Sequence, residues 1–334
     1  MQVAACLRCP NVARNRCKYN YFRYLRTIGL STRSRVVLAK SIVDSRLSAV
    51  KIIKCKTQVE KNRVWQTNDL VRIWRSLLSP ALQSLQRAFC HAGRLYMFSE
   101  FIAGGELSSL HEKFRRFPNH VARFYAAEVA QALGSLHEQD IVYRNMHPDN
   151  IMLSSQGHVK LVGFGFAKVL RDTDSTRTIC GCHDYLAPEV LISEGTTMAS
   201  DWWSWGVLIY FMLAGTNPFH EAALDKHGNV IEPLLYQNIL RCEVNFPHWL
   251  GDQAASLIRA LLVRDPASRL GGKTGRDALP LIMAHPWFSD VLWETLRDTK
   301  APYIPPADDT DKNGGSLNKY DESDDEQENE DDER

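Results

Sequence analysis

Tyr143-Arg144-Asn145-Met146-His147-Pro148-Asp149-Asn150 and, 18 residues after Asn145, Gly163-Phe164-Gly165 are the stretches on which the reading of this chain turns. Before the octapeptide, Phe124, Ala127, Val129, Leu133 and Leu136 recur at the spacing of a wide apolar helix face, which predicts a helix over Ala122 to His137. Further out, residues 22 to 54 hold short runs rich in Val, Ile, Leu and Tyr broken by Gly and Ser, the pattern of an antiparallel sheet. Helical periodicity spans Val59 to Leu78, and a strand pair spans Leu85 to Ile102 with Gly93 at its turn. The remainder reads as helical with long loops. The order is a small strand-rich lobe followed by a larger helical lobe, hinged near Glu100 to Glu106, with no internal repeat.

At 334 residues and 44% apolar composition, the chain is long and apolar enough for two lobes with a substantial core. Its longest apolar run, Trp205 to Gly215, is far short of the roughly 20 residues of a membrane span. Met1-Gln2-Val3 offers neither a cleavable signal nor the glycine that myristoylation requires, so the expected location is cytoplasmic or nuclear. Three of the eight cysteines, Cys6, Cys9 and Cys17, lie close together, but one Cys-x-x-Cys without a second pair is weak support for zinc, and reduced thiols are expected. The net charge of +1 conceals a split: residues 308 to 334 carry 13 Asp/Glu against three Lys/Arg, leaving 37 basic and 26 acidic side chains, a net of +11, on the rest. Such a tail is too charged and too poor in apolar residues to fold alone. It reads as a solvated tail, as a segment that folds back on the basic body, or as a partner contact, and Ser323-Asp324-Asp325-Glu326 has the form of an acidic-directed phosphorylation site.

Arg123-Phe124-Tyr125-Ala126-Ala127, Gly165-Phe166-Ala167-Lys168, Asp184-Tyr185-Leu186-Ala187-Pro188-Glu189, Asp201-Trp202-Trp203 and Ala301-Pro302-Tyr303-Ile304-Pro305 occur in that order. Over roughly residues 21 to 306 the chain resembles the protein kinases, and within them the catalytic subunits of cyclic-AMP-dependent kinases in the AGC group. The resemblance implies an α+β, bilobal fold: a small antiparallel β lobe plus one helix, a larger mainly α-helical lobe and a C-terminal tail. The implied boundaries are 1–20 for an N-terminal extension, 21–105 for the N-lobe, 106–288 for the C-lobe and 289–334 for the tail, acidic and disordered from about 308.

Phosphoryl transfer by kinases is mostly positioning and charge neutralisation, so each part of the machinery can be matched to a residue. The octapeptide resembles the catalytic loop Tyr/His-Arg-Asp-Leu-Lys-Pro-Glu-Asn, with Asn145 in place of the base and His147 in place of a lysine. An amide can hydrogen-bond a hydroxyl but cannot take its proton, and a full positive charge at 147 gives way to an imidazole. Gly163 replaces the aspartate that holds magnesium, leaving Asn150 as the retained metal ligand. Of the Gly-rich phosphate loop, Gly29-Leu30-Ser31-Thr32-Arg33-Ser34-Arg35-Val36 keeps one glycine of three. Arg33 and Arg35 are either phosphate contacts or a solvated strand edge. Lys51 matches the lysine that pairs with the phosphates, but its partner glutamate falls at Leu70, with Asp69 adjacent and turned about 100° away on a helix.

The adenine end survives, with Gly29, Val36, Ala49, Lys51, Glu100 and Met152 matching nucleotide-binding positions, and Ser99 leaving extra room. An apolar stack of Trp74, Leu85, Tyr143 and Phe164 matches the one that couples the lobes, and Glu189 with Arg269 matches a buried ion pair. Glu106 and Asp149 match acidic residues that read arginines of basic substrates, Ile179 and Leu186 an apolar pocket, and Tyr236 a docking aromatic. A further glutamate falls at Phe211, and Arg177 stands where a docking tryptophan is expected. Thr178 matches a phosphorylated threonine, with Arg144 and Lys168 as phosphate-gripping cations. The expectation is a pseudokinase, monomeric alone, that binds a cyclic-AMP-dependent kinase regulatory subunit or a basic pseudosubstrate peptide and neither nucleic acid nor membrane. ATP binding is expected to be weak and a Mg2+ site is doubtful. The alternative is an active but slow Ser/Thr kinase that transfers the ATP γ-phosphoryl group to basic motifs.

Overall fold

The computed structural model describes residues 21–31, 34–54, 71–91, 94–170, 176–220, 223–225 and 227–306. These fall into two compact units, one built from residues up to Val71 with Ser84–Phe101, the other from Arg72–Gln83 with the residues from Ile102 onward.

The first unit is the expected antiparallel sheet. Strands β1 (Phe22–Ser31), β2 (Ser34–Ser41), β3 (Leu47–Lys54), β4 (Leu85–His91) and β5 (Arg94–Glu100) lie in the order β1-β2-β3-β5-β4. Residues 95–99 of β5 are all buried, as befits a strand flanked on both sides, and Ala39, Val50, Tyr96 and Phe98 form a core against which Phe22, Tyr24, Ile52 and Phe89 pack. Enclosing each large apolar side chain there contributes roughly 1.5–3 kcal/mol. The register sets Val36 opposite Lys51, and Ala49 opposite both Leu38 and Ser99. Of the helix expected from Val59 to Leu78, residues 71–76 are helical and the chain leaves the helix before Ser79-Pro80, since proline disfavours helical geometry at the residue before it; Leu70, Asp69 and the rest lie outside the described residues. Gly93, Thr32, Arg33 and Cys6, Cys9 and Cys17 also lie outside them, as does the acidic tail from Ala307.

The second unit is mainly helical. Besides the helical residues up to 76, its described α-helices are α1 (Leu107–Phe114), α2 (Asn119–His137), α3 (Pro188–Leu191), α4 (Met198–Ala214), α5 (Glu232–Arg241), α6 (Asp252–Leu261) and α7 (Ala278–Met283). The central α4 is apolar nearly all round, which suits a helix enclosed by others, and Trp202, Trp203 and Trp205 are fully buried on it. Thr197 and Ser200 cap its start reciprocally, and Gly215 ends it at φ 89, where a Cβ would meet the Arg115 carbonyl oxygen at 2.7 Å. Two short ribbons were not anticipated: β6 (Ile141–Val142) pairs with β9 (Lys168–Val169), and β7 (Ile151–Leu153) with β8 (Val159–Leu161). Runs of two or three residues carry no readable alternation, yet these ribbons frame both diagnostic stretches of sequence. Ala301 to Pro305 runs across Gly157 and Gly104, and a Cβ on Gly104 would lie 2.7 Å from Pro305 Cγ.

Candidate active site

One buried carboxylate holds the octapeptide in place. Asp201, 1% exposed on α4, accepts from the backbone N–H groups of Tyr143 and Arg144 at 2.8 Å each and from His137 Nε2 at 2.9 Å. Three bonds to an enclosed anion anchor the backbone where Arg144 adopts φ 61, a conformation side chains seldom take. Below α4, Arg269 meets Glu189 through two parallel bonds of 2.9 and 3.0 Å, and Ser200 Oγ donates to the same carboxylate at 2.7 Å. Breaking a buried, bidentate pair of this kind costs about 3–5 kcal/mol.

The residues matched to catalysis close on one another. Asn145 Nδ2 donates to the carbonyl oxygen of Gly163 at 2.8 Å, and Asn150 Nδ2 donates to the Asn145 carbonyl at 2.9 Å and to His147 Nε2 at 2.6 Å. His147 Nδ1 lies 3.5 Å from the exposed Asp149 carboxylate. Gly163 has φ 71 and ψ 37, and a Cβ there would stand 2.5 Å from Asn150 Oδ1 and 3.0 Å from Asn145 Nδ2. The two amides therefore fill the space that a side chain at 163 would need. Magnesium favours hard anionic oxygens held through one or two carboxylates. Among the described residues no group of three His, Cys, Asp or Glu could hold a metal ion, and Asn150 offers one neutral oxygen. The described residues around Gly163 do not fit Mg2+.

Phe164, 1% exposed, packs its ring 5.8 Å from both Trp74 and Tyr143, and Tyr143 Oη donates to the Val162 carbonyl at 2.6 Å. The three aromatic members of the expected stack are thus in place within the helical unit. Beyond it, Arg144 is committed to the activation segment: Nε donates to the Phe166 carbonyl at 2.7 Å and Nη1 to Thr176 Oγ1 at 3.2 Å. Lys168, Arg177 and Thr178 are exposed. Gly181, at φ 103, lets the segment approach Arg144, since a Cβ there would lie 2.6 Å from its carbonyl oxygen.

In the sheet unit, Gly29 has no steric need of its hydrogen, for a Cβ would only touch Val36 at 3.4 Å. Ser31 and Ser34 hydroxyls bond each other at 2.8 Å, and Arg35 Nε donates across the β1–β2 pair to Thr27 Oγ1 at 2.7 Å. Burial pushes the Lys51 ammonium below its ordinary pKa, and among the described residues no carboxylate offsets that shift. Ala49 is buried and Val36 half-buried; Ser99 Oγ donates to the Ala49 carbonyl at 3.1 Å, and the Glu100 carboxylate accepts from the Ser84 N–H at 2.8 Å.

On the substrate side, Glu106 precedes α1, forms a β-bridge with Met152 and accepts from Ser108 Oγ at 3.4 Å. Leu186 is buried whereas Ile179 is 50% exposed, so the expected apolar pair offers surface mainly through Ile179. Tyr236 Oη donates to Glu232 Oε1 at 2.5 Å beside His183, which also pairs with Glu232. Phe211 stacks on the buried His111 at 4.0 Å, and burial lowers the His111 pKa. Two functional supports escaped sequence analysis. His137 reads as an ordinary helix end but bonds Asp201. Glu128, fully buried between alanines and valine, accepts from His158 Nδ1 and from the Val159 N–H, at 2.7 Å each; a lone charge in Ala126-Ala127-Glu128-Val129-Ala130 was the available signal.

A sheet of five strands, a helical unit built around α4, and the Asp201-anchored loop facing Gly163 define a protein kinase. The protein kinase domain family matches residues 22–288, and the chain belongs to that family. It is 42% identical over 287 residues, 85% of its length, to the cAMP-dependent protein kinase catalytic subunit of Arthrobotrys oligospora, spanning 53% of that protein. It is 41% identical over 288 residues, again 85% of its length, to cAMP-dependent protein kinase type 3 of Saccharomyces cerevisiae, spanning 69% of it. With RAC serine/threonine-protein kinase of Drosophila melanogaster it shares 36% identity over 282 residues, 84% of this chain and 44% of the relative. The chain thus spans about half to two thirds of these relatives, and it is a Ser/Thr kinase-like member resembling the cAMP-dependent catalytic subunits.

Proposed function

We propose that this protein is a pseudokinase: it keeps the kinase scaffold and peptide-facing residues, transfers phosphoryl groups poorly or not at all, and acts by binding partners or by competing with an active relative. The closure of Asn145, Asn150 and Gly163 on one another carries this reading. The base is an amide, the metal carboxylate is a glycine, and the two side-chain amide nitrogens are tied to the backbone carbonyls of Gly163 and Asn145. Loss of a general base alone forfeits on the order of 10²- to 10⁴-fold in rate. Transfer of labelled phosphate from ATP to a basic peptide, measured on the wild type beside Asn145→Asp/Gly163→Asp, tests it. Wild-type transfer within about tenfold of an active relative sinks the reading.

A second reading, a slow Ser/Thr kinase using ATP on basic motifs, is favoured by the kinase names of the relatives and by the well-anchored loop around Asp201. The same assay decides between the two. For partners, Glu106, Asp149, Ile179 and Tyr236 support an arginine-containing inhibitory segment of the kind found in a cyclic-AMP-dependent kinase regulatory subunit.

A further inference from the structure

We propose that the helical unit carries a docking groove for a partner segment that combines apolar and basic side chains, at a place unrelated to the phosphoryl-transfer residues. An open cavity of about 330 Å³ lies between the second half of α2, residues 79–81, α7 and the helical turn Trp293–Thr295. Its apolar walls include Pro80, Leu279 and the Trp293 indole. That indole is well held: its ring meets Phe288 at 5.1 Å, and the Trp293 carbonyl accepts from Gln131 Nε2 at 2.8 Å.

The charges at the groove set the chemistry of the occupant. Glu138 and Glu294 line it, both exposed, and among the described residues neither carboxylate has an ion-pair or hydrogen-bond partner. The one cation in the lining, Arg297, is already committed: it donates to the Val159 carbonyl at 3.2 Å and lies 3.6 Å from the buried Glu128 carboxylate. The uncommitted charge is negative, on a chain whose residues 1–307 carry a net +11. An acidic segment, the chain's own tail included, is repelled, and so is a phosphate backbone. A purely apolar segment would cover two carboxylates without pairing them, which is costly. A leucine–arginine segment satisfies both requirements, seating its apolar side chains on Leu279 and Pro80 and its guanidinium groups over the indole and against the carboxylates.

The test uses the full chain and a fluorescent, end-blocked peptide of alternating leucine and arginine, with glycine–arginine and leucine–glutamate versions as controls, read by anisotropy. The leucine–arginine peptide should bind, and each control at least about tenfold more weakly, a difference of about 1.4 kcal/mol. Glu138→Gln/Glu294→Gln, two exposed and nearly isosteric changes, should weaken binding by a similar factor. Glu106→Gln/Asp149→Asn should leave it within about threefold, equivalent to well under 1 kcal/mol. No binding up to about 1 mM, or equal binding of the glycine–arginine peptide, overturns the proposal. So does loss of binding in Glu106→Gln/Asp149→Asn with Glu138→Gln/Glu294→Gln unaffected; that outcome leaves the pseudokinase reading standing and places the peptide at the kinase's peptide surface instead.

Discussion

The side-chain amide of Asn145 donates to the backbone carbonyl of Gly163 at 2.8 Å, so the residue in the position of the catalytic base is tied to the residue in the position of the metal carboxylate. An ionised aspartate at 145 has no hydrogen to donate and would break this tie. A side chain at 163 would press on the Asn150 and Asn145 amides. The two departures are structurally coupled.

Restoration should therefore be strongly non-additive. Asn145→Asp alone lacks a metal ligand, and Gly163→Asp alone meets Asn150 Oδ1 at 2.5 Å with Asn145 still bonded across. Each single variant should stay at least about 10³-fold below an active relative in labelled-phosphate transfer, with the double variant exceeding the sum of the singles. Simple additivity of the two single effects would show that the sites act independently.

Nucleotide should bind without regard to magnesium. Among the described residues no group of three His, Cys, Asp or Glu could hold a metal ion, while in the sheet unit Val36 and Ala49 keep the apolar strand positions. Thermal-shift titrations should give weak and similar responses to ATP and ADP, unchanged by added magnesium. A strong, magnesium-dependent preference for ATP would mean that a carboxylate from elsewhere completes the site.

Thr178 is exposed two residues beyond Thr176, whose hydroxyl already accepts from Arg144. A phosphate at 178 should draw Arg144, and Lys168 with it, into shorter charge-assisted bonds. Stoichiometric phosphorylation in trans should slow proteolysis within residues 176–183 several-fold, and Thr178→Val should abolish the effect. Equal cleavage with and without phosphate refutes the gripping role.

Burial, and then the neighbouring Asp184 charge, pushes the Cys182 thiol up to about 11, whereas Cys90 is exposed. At pH 8 the Cys182 thiolate should be scarce, and iodoacetamide should label Cys90 on the order of tenfold faster or more, as peptide mass spectrometry would record. The fold favours the neutral thiol, so its contribution to stability is complete below the ordinary value near 9 and is lost as pH rises through about 11. Cys182→Ser should flatten that alkaline limb of the stability profile; an unchanged limb assigns it to other groups.

Binding to a purified regulatory subunit of a cyclic-AMP-dependent kinase should be detectable without cyclic AMP and clearly weaker than that of an active catalytic subunit. Phe211 occupies one acidic position of the family, and Arg177 a docking aromatic one, a residue type often dominant in interfaces. Glu106→Ala should lower the affinity about tenfold further, in line with removal of one partner of an arginine contact. Absence of any complex in a pull-down would exclude this class of partner.

How the fold and site divide between sequence and tertiary structure follows from the range of the interactions involved. The short apolar runs of Leu47 to Lys54 and Arg94 to Glu100, and the long apolar face from Ala122 to His137, declare their elements because an enclosed strand is apolar on both faces and a helix must present one face repeatedly to a core. The ordered motifs likewise named the family, and the identities at 145 and 163 showed where this chain departs from the family's motifs. The ribbons β6–β9 and β7–β8 were not legible, because two or three residues hold no period and pair only when the chain has already been folded around them. Nor could spacing reveal that His137 and the backbone of Tyr143 and Arg144 converge on Asp201, across 57 to 64 residues of chain, or that Asn145 and Asn150 would turn inward onto Gly163. The sequence by itself determined which groups are present. Tertiary structure alone decided which of them satisfy one another, because a hydrogen bond depends on positions in space that distant, buried packing sets.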